Sequence, residues 1–474
     1  MKRRGKIFSV VLAGFILAGL VFSGWYIQKA VPIGTGYAAK YLCSSVFISK
    51  RNPESVFPDE VKPVNPLAKI IQFEVIPNQK AVTAHSFGLF KSKAIYREGC
   101  GCTLVVGTTE DELSRQKFFD PIPKVLKAES RPDLPWPVGN QGPVRHLPET
   151  IDAAKLKQAL DKAFIEPDPT SPRKTRAVVV VYNGHLIAER YAVGFHENMP
   201  LLGWSMSKSV TNALVGILVR KGKLDLKRPA PVLEWSHKDD PRSRITLDQL
   251  LRMSSGLQFE EKYAPMYDAT YMLYGSYDFA AYAANKPLTA EPDSTWYYSS
   301  GTANIIARIV RQVVEKEYPS YYNFIRQELF DRLGMSSAVM EPDPSGTFVG
   351  SSYMFATPRD WARFGLLYLQ DGVWQGQRIL PEGWVGYSTR PTPKAPQGQY
   401  GALFWLNAGS KDHPENRRWP RVPPDTFSAE GFQQQRVIVI PSKKLVVVRL
   451  GATSIRQAWN DDQFLSKLLE AISD

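Results

Sequence analysis

The stretch GWSMSKS at residues 203–209, followed by the apolar run VTNALVGILV at 210–219, decides the fold of the main part of the chain. Its apolar residues recur with helical spacing, which predicts a buried helix that begins at Ser205. Lys208 lies three residues further on, so the helix would bring it to the same face, one turn in. A serine hydroxyl becomes a nucleophile when an adjacent base removes its proton, and a desolvated lysine can be that base. The pair of Ser205 and Lys208 therefore predicts nucleophilic catalysis. The alternative is that Ser205 only caps the N-terminus of the helix.

Two other Ser-x-x-Lys matches occur in the chain, at residues 114–117 and 171–174. The first lies in a charged stretch, and the second lies among prolines and is followed by basic residues. Neither begins an apolar helix, so neither could remove a lysine from water and lower its pKa. The surrounding sequence therefore selects Ser205 as the candidate nucleophile.

The composition argues against a nucleic-acid partner. The 474 residues carry a net charge of +13, and the N-terminal group Lys2, Arg3, Arg4 and Lys6 supplies four of these charges. The other basic residues are spread along the chain, without the clustered basic patch that is typical of a nucleic-acid-binding surface. A mildly basic surface that faces an anionic cell envelope explains the charge. The length allows two or three domains, and the 43% of hydrophobic residues allow a large core.

Residues 7–28 contain no charged residue and are long enough to cross a bilayer as a helix. Trp25 and Tyr26 stand where an interfacial aromatic belt would lie, and the basic residues before the run should stay in the cytoplasm. Residues 1–29 are therefore predicted to be a single-pass anchor in the inner (cytoplasmic) membrane, with the catalytic domain in the periplasm or outside the cell. A cleaved signal peptide is the alternative, although the apolar run is long for one and its best cleavage triplet, at 21–23, is poor.

The three cysteines, Cys43, Cys100 and Cys102, would lie in an oxidising compartment in an exported protein. Only one residue separates Cys100 from Cys102, which disfavours a disulfide between them, so we expect Cys43 to bond to one of them. A metal site would need further ligands nearby, and His85 is the only candidate. Neither a metal nor another cofactor is predicted.

The patterns beyond the anchor predict two regions. Residues 30–148 would comprise a tether, a small antiparallel β-module that starts near residue 69, and a proline-rich linker from residue 131. Residues 149–474 would form the main domain. Its clearest signal is a hairpin, in which Asn183-Gly184 separates two apolar runs. Strands near both ends of this domain, with mostly helical patterns between them, predict an α+β domain with a mainly antiparallel sheet and a helical lobe.

Two further stretches place polar residues beside buried elements. TWYYSSG at residues 295–301 precedes an apolar helical run, and a tyrosine there could relay a proton between the serine, the lysine and a leaving group. Core-packing tyrosines are the alternative. FSAEGF at residues 427–432 precedes a strand, and a glycine-containing edge strand can offer one of the two backbone N–H donors that acyl transfer needs.

Taken in order, the three stretches resemble the serine β-lactamase and D,D-peptidase family, whose members carry Ser-x-x-Lys, then Tyr-x-Asn or Tyr-x-Ser, then a Lys-Thr-Gly-like strand. The sequence looks most like the class C-like branch of esterases and nylon-oligomer (6-aminohexanoate-dimer) hydrolases. Shorter matches to that branch are ITL at 245–247, SSGL at 254–257, LGM at 333–335 and RILPEGW at 378–384. The resemblance covers about residues 150–470 and implies a β-lactamase/D,D-peptidase-like fold and serine hydrolase activity.

The resemblance also implies roles for the motif residues. Ser205 would be the acylated nucleophile and Lys208 its base. Tyr298 would relay the proton and help to activate the deacylating water. Ser300 would hydrogen-bond Lys208 or the substrate, and the N–H groups of Ser205 and Phe432 would form the oxyanion hole.

The substrate side departs from the family pattern. Residues 429–431 read Ala-Glu-Gly where the family has Lys-Thr-Gly, so the cation that attracts a β-lactam or peptide carboxylate is absent. Glu430, next to Gly431, would repel such an anion. Ser300 replaces the asparagine of class C β-lactamases, and Tyr263 resembles a substrate-side tyrosine of the nylon-oligomer hydrolases. We therefore expect hydrolysis of small-molecule esters or small amides.

Three other functions are alternatives to this one. A cell-wall D,D-peptidase or β-lactamase would use the same nucleophile on a different substrate. A non-catalytic envelope protein with this fold would bind peptide or cell-wall ligands. A Ser-His-Asp hydrolase is disfavoured, because the six histidines have no accompanying Gly-x-Ser-x-Gly elbow.

Overall fold

The computed structural model describes residues 2–116 and 133–473. The helices in these ranges are α1 (Lys2–Phe47), α2 (Pro53–Val56), α3 (Glu110–Arg115), α4 (Ala153–Ala163), α5 (Met206–Arg220), α6 (Leu247–Leu251), α7 (Asp268–Gly275), α8 (Phe279–Ala284), α9 (Ser300–Glu317), α10 (Tyr321–Ile325), α11 (Asp331–Leu333), α12 (Pro358–Leu369), α13 (Trp384–Ser388) and α14 (Asp461–Leu469). The strands are β1 (Gln72–Ile76), β2 (Ala81–Ser86), β3 (Leu89–Arg97), β4 (Gly101–Leu104), β5 (Thr175–Tyr182), β6 (His185–Tyr191), β7 (Leu201–Leu202), β8 (Val339–Met340), β9 (Met354–Ala356), β10 (Val373–Trp374), β11 (Gln377–Arg378), β12 (Trp405–Leu406), β13 (Phe427–Gly431), β14 (Gln435–Ile440) and β15 (Leu445–Gly451).

An antiparallel sheet forms the centre of the described main domain, with six strands in the order β12-β13-β14-β15-β5-β6. Successive side chains of a strand point to opposite faces, so the unbroken run of valines in β5 contributes side chains to both faces of the sheet. Val179 and Val181 pack in one cluster with residues of α5 and α12, and Val178 and Val180 pack in another with residues of α4 and α14. Helices therefore cover both faces, and the predicted α+β architecture is confirmed.

Helices α5 to α9 form the predicted helical lobe beside this sheet. Thr246 caps the N-terminus of α6, because its Oγ1 accepts a hydrogen bond from the N–H of Gln249 at 3.3 Å. Helix α5 is buried over almost its whole length and packs against α9. The N-termini of α5 and α9 meet the end of β13, and this junction holds the predicted site residues.

Helix α1 is longer than the predicted anchor and takes the place of the predicted tether. It is one helix of 46 residues, about 69 Å long at 1.5 Å per residue. Large apolar side chains between Leu12 and Ile27 are exposed, whereas Ala38 and Leu42 are 0% exposed. The expectation of a tether directly after residue 29 is wrong, because the second half of α1 is held in the protein core. By length and composition α1 could cross a membrane, although a signal sequence or a core helix would pass the same test.

The predicted small β-module is present as an antiparallel sheet of strands β1 to β4, and α1 packs on it. Cys43 of α1 is bonded to Cys102 of β4, across 59 positions of sequence. This is one of the two pairings that the sequence allowed, and Cys100 is a buried free thiol. The disulfide fastens the helix to the module.

Buried ion pairs join the N-terminal region to the main domain. Glu341 accepts hydrogen bonds from the Cys102 N–H at 2.6 Å and from Ser44 Oγ at 2.7 Å, and it pairs with Lys40. Residues from α1, the β-module and the main domain also belong to one hydrophobic cluster. The predicted regions on either side of residue 148 are therefore distinct in sequence but share a core.

The proline-rich segment is held against α12. Residues 133–148 of it are described, and residues 131 and 132 lie outside the described residues. Arg363 donates hydrogen bonds to the carbonyl oxygens of Pro137 at 3.0 Å and Gly139 at 2.6 Å, and Trp136 is buried. The described part is therefore packed on the main domain and is not a free linker.

Candidate active site

Ser205 lies on a tight turn between β7 and α5. Trp204 has a φ of 49°, in the left-handed region that non-glycine residues adopt at an energetic cost. Gly203 has no room for a side chain, since a Cβ there would lie 2.4 Å from Cζ2 of Trp361. The turn places the partly exposed Ser205 at the N-terminus of α5, where the helix dipole favours negative charge.

Lys208 is buried directly behind Ser205. Its Nζ donates three hydrogen bonds of 3.0 Å, to Ser205 Oγ, Ser300 Oγ and the carbonyl oxygen of Ser351. Burial lowers the pKa of Lys208 to about 8, against the opposing effect of the Glu261 carboxylate. A lysine with this pKa loses its proton close to neutral pH, so it can act as a base. The sequence predicted the contacts with Ser205 and Ser300, but not the carbonyl of Ser351.

Tyr298 stands just before α9, on the other side of Lys208. The Lys208 ammonium lies 4.7 Å from the centre of the Tyr298 ring. Desolvation and the negative charge of Glu261 raise the pKa of Tyr298, while a hydrogen bond with the Ser205 side chain acts in the opposite direction. The net shift is upward, so Tyr298 is a neutral phenol at physiological pH.

Glu261 belongs to the site but was not predicted. Its carboxylate accepts hydrogen bonds from Ser300 Oγ at 2.5 Å, from the Ser300 N–H at 2.7 Å and from the Tyr263 hydroxyl at 2.7 Å. The Ser300 hydroxyl proton therefore points to Glu261, which leaves an oxygen lone pair for Lys208. Glu261 stands two residues from the predicted Tyr263, but no local pattern pairs it with Ser300, which lies 39 positions away.

Strand β13 ends next to the nucleophile turn. A Cβ at Gly431 would lie 2.1 Å from the carbonyl oxygen of Gly203, so only a glycine allows this approach of the two backbones. The ring of Phe432, the next residue, meets Trp204 edge-on with 5.7 Å between ring centroids. Ser205 and Phe432 line the same cavity.

Glu430 does not present an unpaired negative charge to this cavity. Its carboxylate accepts hydrogen bonds from both terminal nitrogens of Arg418, at 2.7 and 3.0 Å, and from Ser428 Oγ at 2.8 Å. Burial alone would raise the pKa of Glu430, but Arg418 and Arg436 lower it to about 2. The expected repulsion of an anionic substrate by Glu430 is wrong, because buried guanidinium groups already neutralise the carboxylate.

The cavity at Ser205 has a volume of about 80 Å³ and is partly open to solvent. Tyr263 is 51% exposed and lines it, with its ring 5.7 Å from the ring of Phe432. The structure thus brings together the predicted Ser205, Lys208, Tyr298, Ser300, Gly431, Phe432 and Tyr263, with Glu430 in the strand behind.

The other Ser-x-x-Lys matches have no such surroundings. Ser114 is in the exposed helix α3 and donates a hydrogen bond to the carbonyl oxygen of Glu110, while Lys117 lies outside the described residues. Lys174 donates to the carbonyl oxygen of Asp59 near the surface. In the described ranges, no group of three or more His, Cys, Asp or Glu side chains is arranged to hold a metal ion.

A family model described as Beta-lactamase matches residues 163–462. The chain belongs to the β-lactamase family. A curated relative is the 6-aminohexanoate-dimer hydrolase of Paenarthrobacter ureafaciens, which is 24% identical over 308 residues, or 59% of this chain and 72% of that protein. The resemblance to this family is thereby confirmed, and the relative is itself a hydrolase.

Two solved structures share the fold. A family VIII carboxylesterase is 15% identical, with a TM-score of 0.53 over 70% of this chain and 98% of the esterase. A penicillin-binding protein homologue from Caulobacter crescentus is 14% identical, with a TM-score of 0.52 over 70% of this chain and 100% of that protein. At these identities the similarity is one of fold. The segment before residue 163 lies outside the family match.

Proposed function

We propose that this β-lactamase-family member is a serine hydrolase that cleaves esters or small amides through an acyl-enzyme. The observation that carries the proposal is the fully buried Lys208, whose Nζ lies 3.0 Å from Ser205 Oγ and whose pKa is lowered to about 8. A desolvated lysine that lies within hydrogen-bond distance of a serine hydroxyl has the position and the pKa that a general base needs.

In the first half-reaction, Ser205 Oγ attacks the substrate carbonyl carbon and its proton passes to Lys208 Nζ. The backbone N–H groups of Ser205 and Phe432 would stabilise the oxyanion, which the approach of Gly431 to the nucleophile turn supports. The leaving group takes a proton as the carbonyl re-forms. Water then attacks the acyl-enzyme, so that one ester and one water give one acid and one alcohol.

Tyr298 would deliver the proton to the leaving group. The raised pKa of Tyr298 keeps its phenol protonated, so Tyr298 can act as the proton donor. The neighbouring Lys208 ammonium would then return a proton to it. Ser300 would keep Lys208 aimed at Ser205, and Glu261 would hold Ser300 in position. Tyr263 would contact the substrate from the exposed side of the cavity.

An ester or small-amide substrate is preferred over a penicillin or a peptide with a C-terminal carboxylate. The Lys-Thr-Gly cation is absent, and Arg418, which bonds to that strand, is already paired with Glu430. Hydrolysis of nitrocefin faster than of simple esters would favour the D,D-peptidase or β-lactamase alternative. No turnover of either would favour the non-catalytic binder.

A fluorophosphonate probe tests the nucleophile. We expect the probe to label the wild-type chain on the peptide that contains Ser205, and Ser205→Ala to lose both labelling and hydrolysis of p-nitrophenyl acetate. Ser171→Ala is the matched control, since it alters the same motif spacing without the buried lysine. An acyl adduct found on any other peptide would refute the assignment.

We also infer that α1 anchors the protein in the inner membrane, with the catalytic domain on the periplasmic or extracellular side. The exposed apolar side chains between Leu12 and Ile27 and the Cys43–Cys102 disulfide support this location. Sequencing of the mature N-terminus tests it: a start near Gly24 would replace the anchor with a cleaved signal.

A further inference from the structure

The cavity beside Ser205 is lined mainly by apolar groups. Its walls include Ile33, Leu67, Leu273, Tyr274 and Phe432, and Ser205 also lines it. Cavities with mainly apolar walls and few polar groups are the usual binding sites of small organic ligands. An apolar pocket that opens onto a nucleophile selects the apolar part of the substrate.

Part of the wall comes from the N-terminal region, outside the family match. Ile33 and Gly34 of α1 and the turn at residues 64–67 line the cavity. The turn is fixed to the helix, because Asn65 Nδ2 donates to the carbonyl oxygen of Gly34 at 3.0 Å. A Cβ on Gly34 would lie 3.1 Å from Cδ1 of Leu67, so helix and turn are in tight contact. The N-terminal region therefore shapes the pocket as well as anchoring the chain.

We propose that this pocket binds the long acyl chain of an ester or amide that reaches Ser205 from the membrane to which α1 is attached. The proposal rests on the proposed hydrolase function and names its substrate class. The carbonyl carbon would lie at Ser205, and the acyl chain would extend between α1 and the segment at residues 263–274.

The position of the pocket along α1 supports entry from the bilayer. The last large exposed apolar residue of the helix is Ile27, and Ile33 in the pocket wall lies about 9 Å further along the axis at 1.5 Å per residue. Exposed lysines stand at positions 29, 62 and 69, close in sequence to the wall residues, where they suit anionic lipid headgroups. A chain leaving the bilayer at this level would meet the pocket directly.

The first experiment measures kcat/KM of the full chain, in detergent, for p-nitrophenyl esters from acetate to dodecanoate. Burial of one methylene group should raise kcat/KM by up to about fourfold, which sets an upper limit of about 4,000-fold for six methylenes. With partial burial of the chain we expect octanoate to exceed acetate by at least about 100-fold. Equal values for acetate and octanoate, or a preference for acetate, would overturn the proposal.

Variants of Leu67 locate the effect in the pocket. Leu67→Trp fills the cavity and should lower kcat/KM for octanoate at least tenfold more than for acetate. Leu67→Ala enlarges the cavity and should move the optimum to longer chains. Ile70→Trp is the matched control, because Ile70 belongs to the same short 3-10 helix as Leu67 (Pro66–Ile70), is 38% exposed and does not line the pocket. An octanoate-to-acetate ratio that stays unchanged in both Leu67 variants would overturn the proposal.

Ser205→Ala separates the two levels of inference. If Ser205→Ala retains acetate hydrolysis, the proposed function itself fails. If acetate hydrolysis depends on Ser205 but chain length has no effect, only the long-chain proposal fails.

The source of the substrate is tested with phosphatidylcholine vesicles that contain 4-methylumbelliferyl oleate. The full chain is reconstituted either in these vesicles or in separate vesicles that are then mixed with them. We expect hydrolysis at least tenfold faster when enzyme and ester share a bilayer. Equal rates in the two arrangements would exclude direct entry from the enzyme's own membrane.

Discussion

Replacement of Glu261 by glutamine should move the pH dependence of hydrolysis towards acid. Glu261 touches neither the nucleophile nor its base directly; it acts on Lys208 through the Ser300 hydroxyl. Glutamine keeps the shape and one acceptor oxygen but removes the negative charge. That charge raises the pKa of Lys208, so its removal should lower the pKa below about 8.

The size of the shift follows from the geometry. The hydrogen bonds from Lys208 to Ser300 and from Ser300 to Glu261 are 3.0 and 2.5 Å long, so the two charges lie at most about 5.5 Å apart. Coulomb's law gives about 3 kcal/mol at this distance for an effective dielectric constant of 20, and about 0.8 kcal/mol for one of 80. At 1.36 kcal/mol per pKa unit this is a downward shift of about 0.5 to 2 units.

The assay is kcat/KM for p-nitrophenyl acetate between pH 5 and pH 10. Activity requires neutral Lys208, so it should rise with pH through the pKa of this lysine and then level off. In Glu261→Gln the rising limb should appear about one pH unit lower, with a plateau within a few-fold of the wild type. Glu260→Gln is the matched control, because it removes the same charge from the exposed neighbouring position.

Each possible outcome has a distinct meaning. A limb that does not move, or moves to higher pH, would refute the electrostatic link between Glu261 and Lys208. A lower plateau with an unmoved limb would mean that Glu261 only supports the local structure. An equal shift in Glu260→Gln would mean that surface charge in general, rather than the Ser300 relay, sets the pKa.

Two further predictions concern stability. Cys43→Ser should lower the free energy of unfolding by about 2–4 kcal/mol, because it releases a loop of 59 positions, whereas Cys100→Ser should not act through this loop. Urea denaturation with and without dithiothreitol measures the effect. A reductant effect that persists in Cys43→Ser would contradict the prediction. Glu430→Lys should destabilise the protein by about 3–5 kcal/mol without raising penicillin turnover, since it sets an ammonium against the partly buried Arg418 guanidinium. A stable Glu430→Lys with an increased penicillin-to-ester ratio of kcat/KM would restore the role of Glu430 charge in substrate choice.

The sequence predicted those parts of the site that depend on local geometry. Ser205 and Lys208 are joined by one turn of a helix, and helical periodicity alone brings them to one face. The hairpin at β5 and β6 follows from its turn residues, since Asn183 and Gly184 have φ values of 47° and 80°. Such contacts are set by the backbone within a few residues, so they can be inferred without the rest of the chain.

The partners of these residues could not be inferred in this way. Glu261 meets Ser300 across 39 positions, and the Ser351 carbonyl meets Lys208 across 143. The same holds for Arg418, which pairs with Glu430 across a loop and neutralises the negative charge that was expected at that strand. No local period marks such residues, because packing of separate elements creates the contact.

In helix α1, the sequence predicted the first half and only the tertiary structure decided the second half. The apolar run at residues 7–28 by itself determined a helix long enough to cross a membrane. Beyond it, Pro32, Gly34 and Gly36 are poor helix formers, and their sequence favoured a tether. Burial against the β-module and the main domain outweighs their low helix propensity. The small size of Gly34 also allows α1 to contact the 64–67 turn closely. Only the tertiary structure therefore decided that this apolar helix continues into the wall of the pocket at Ser205.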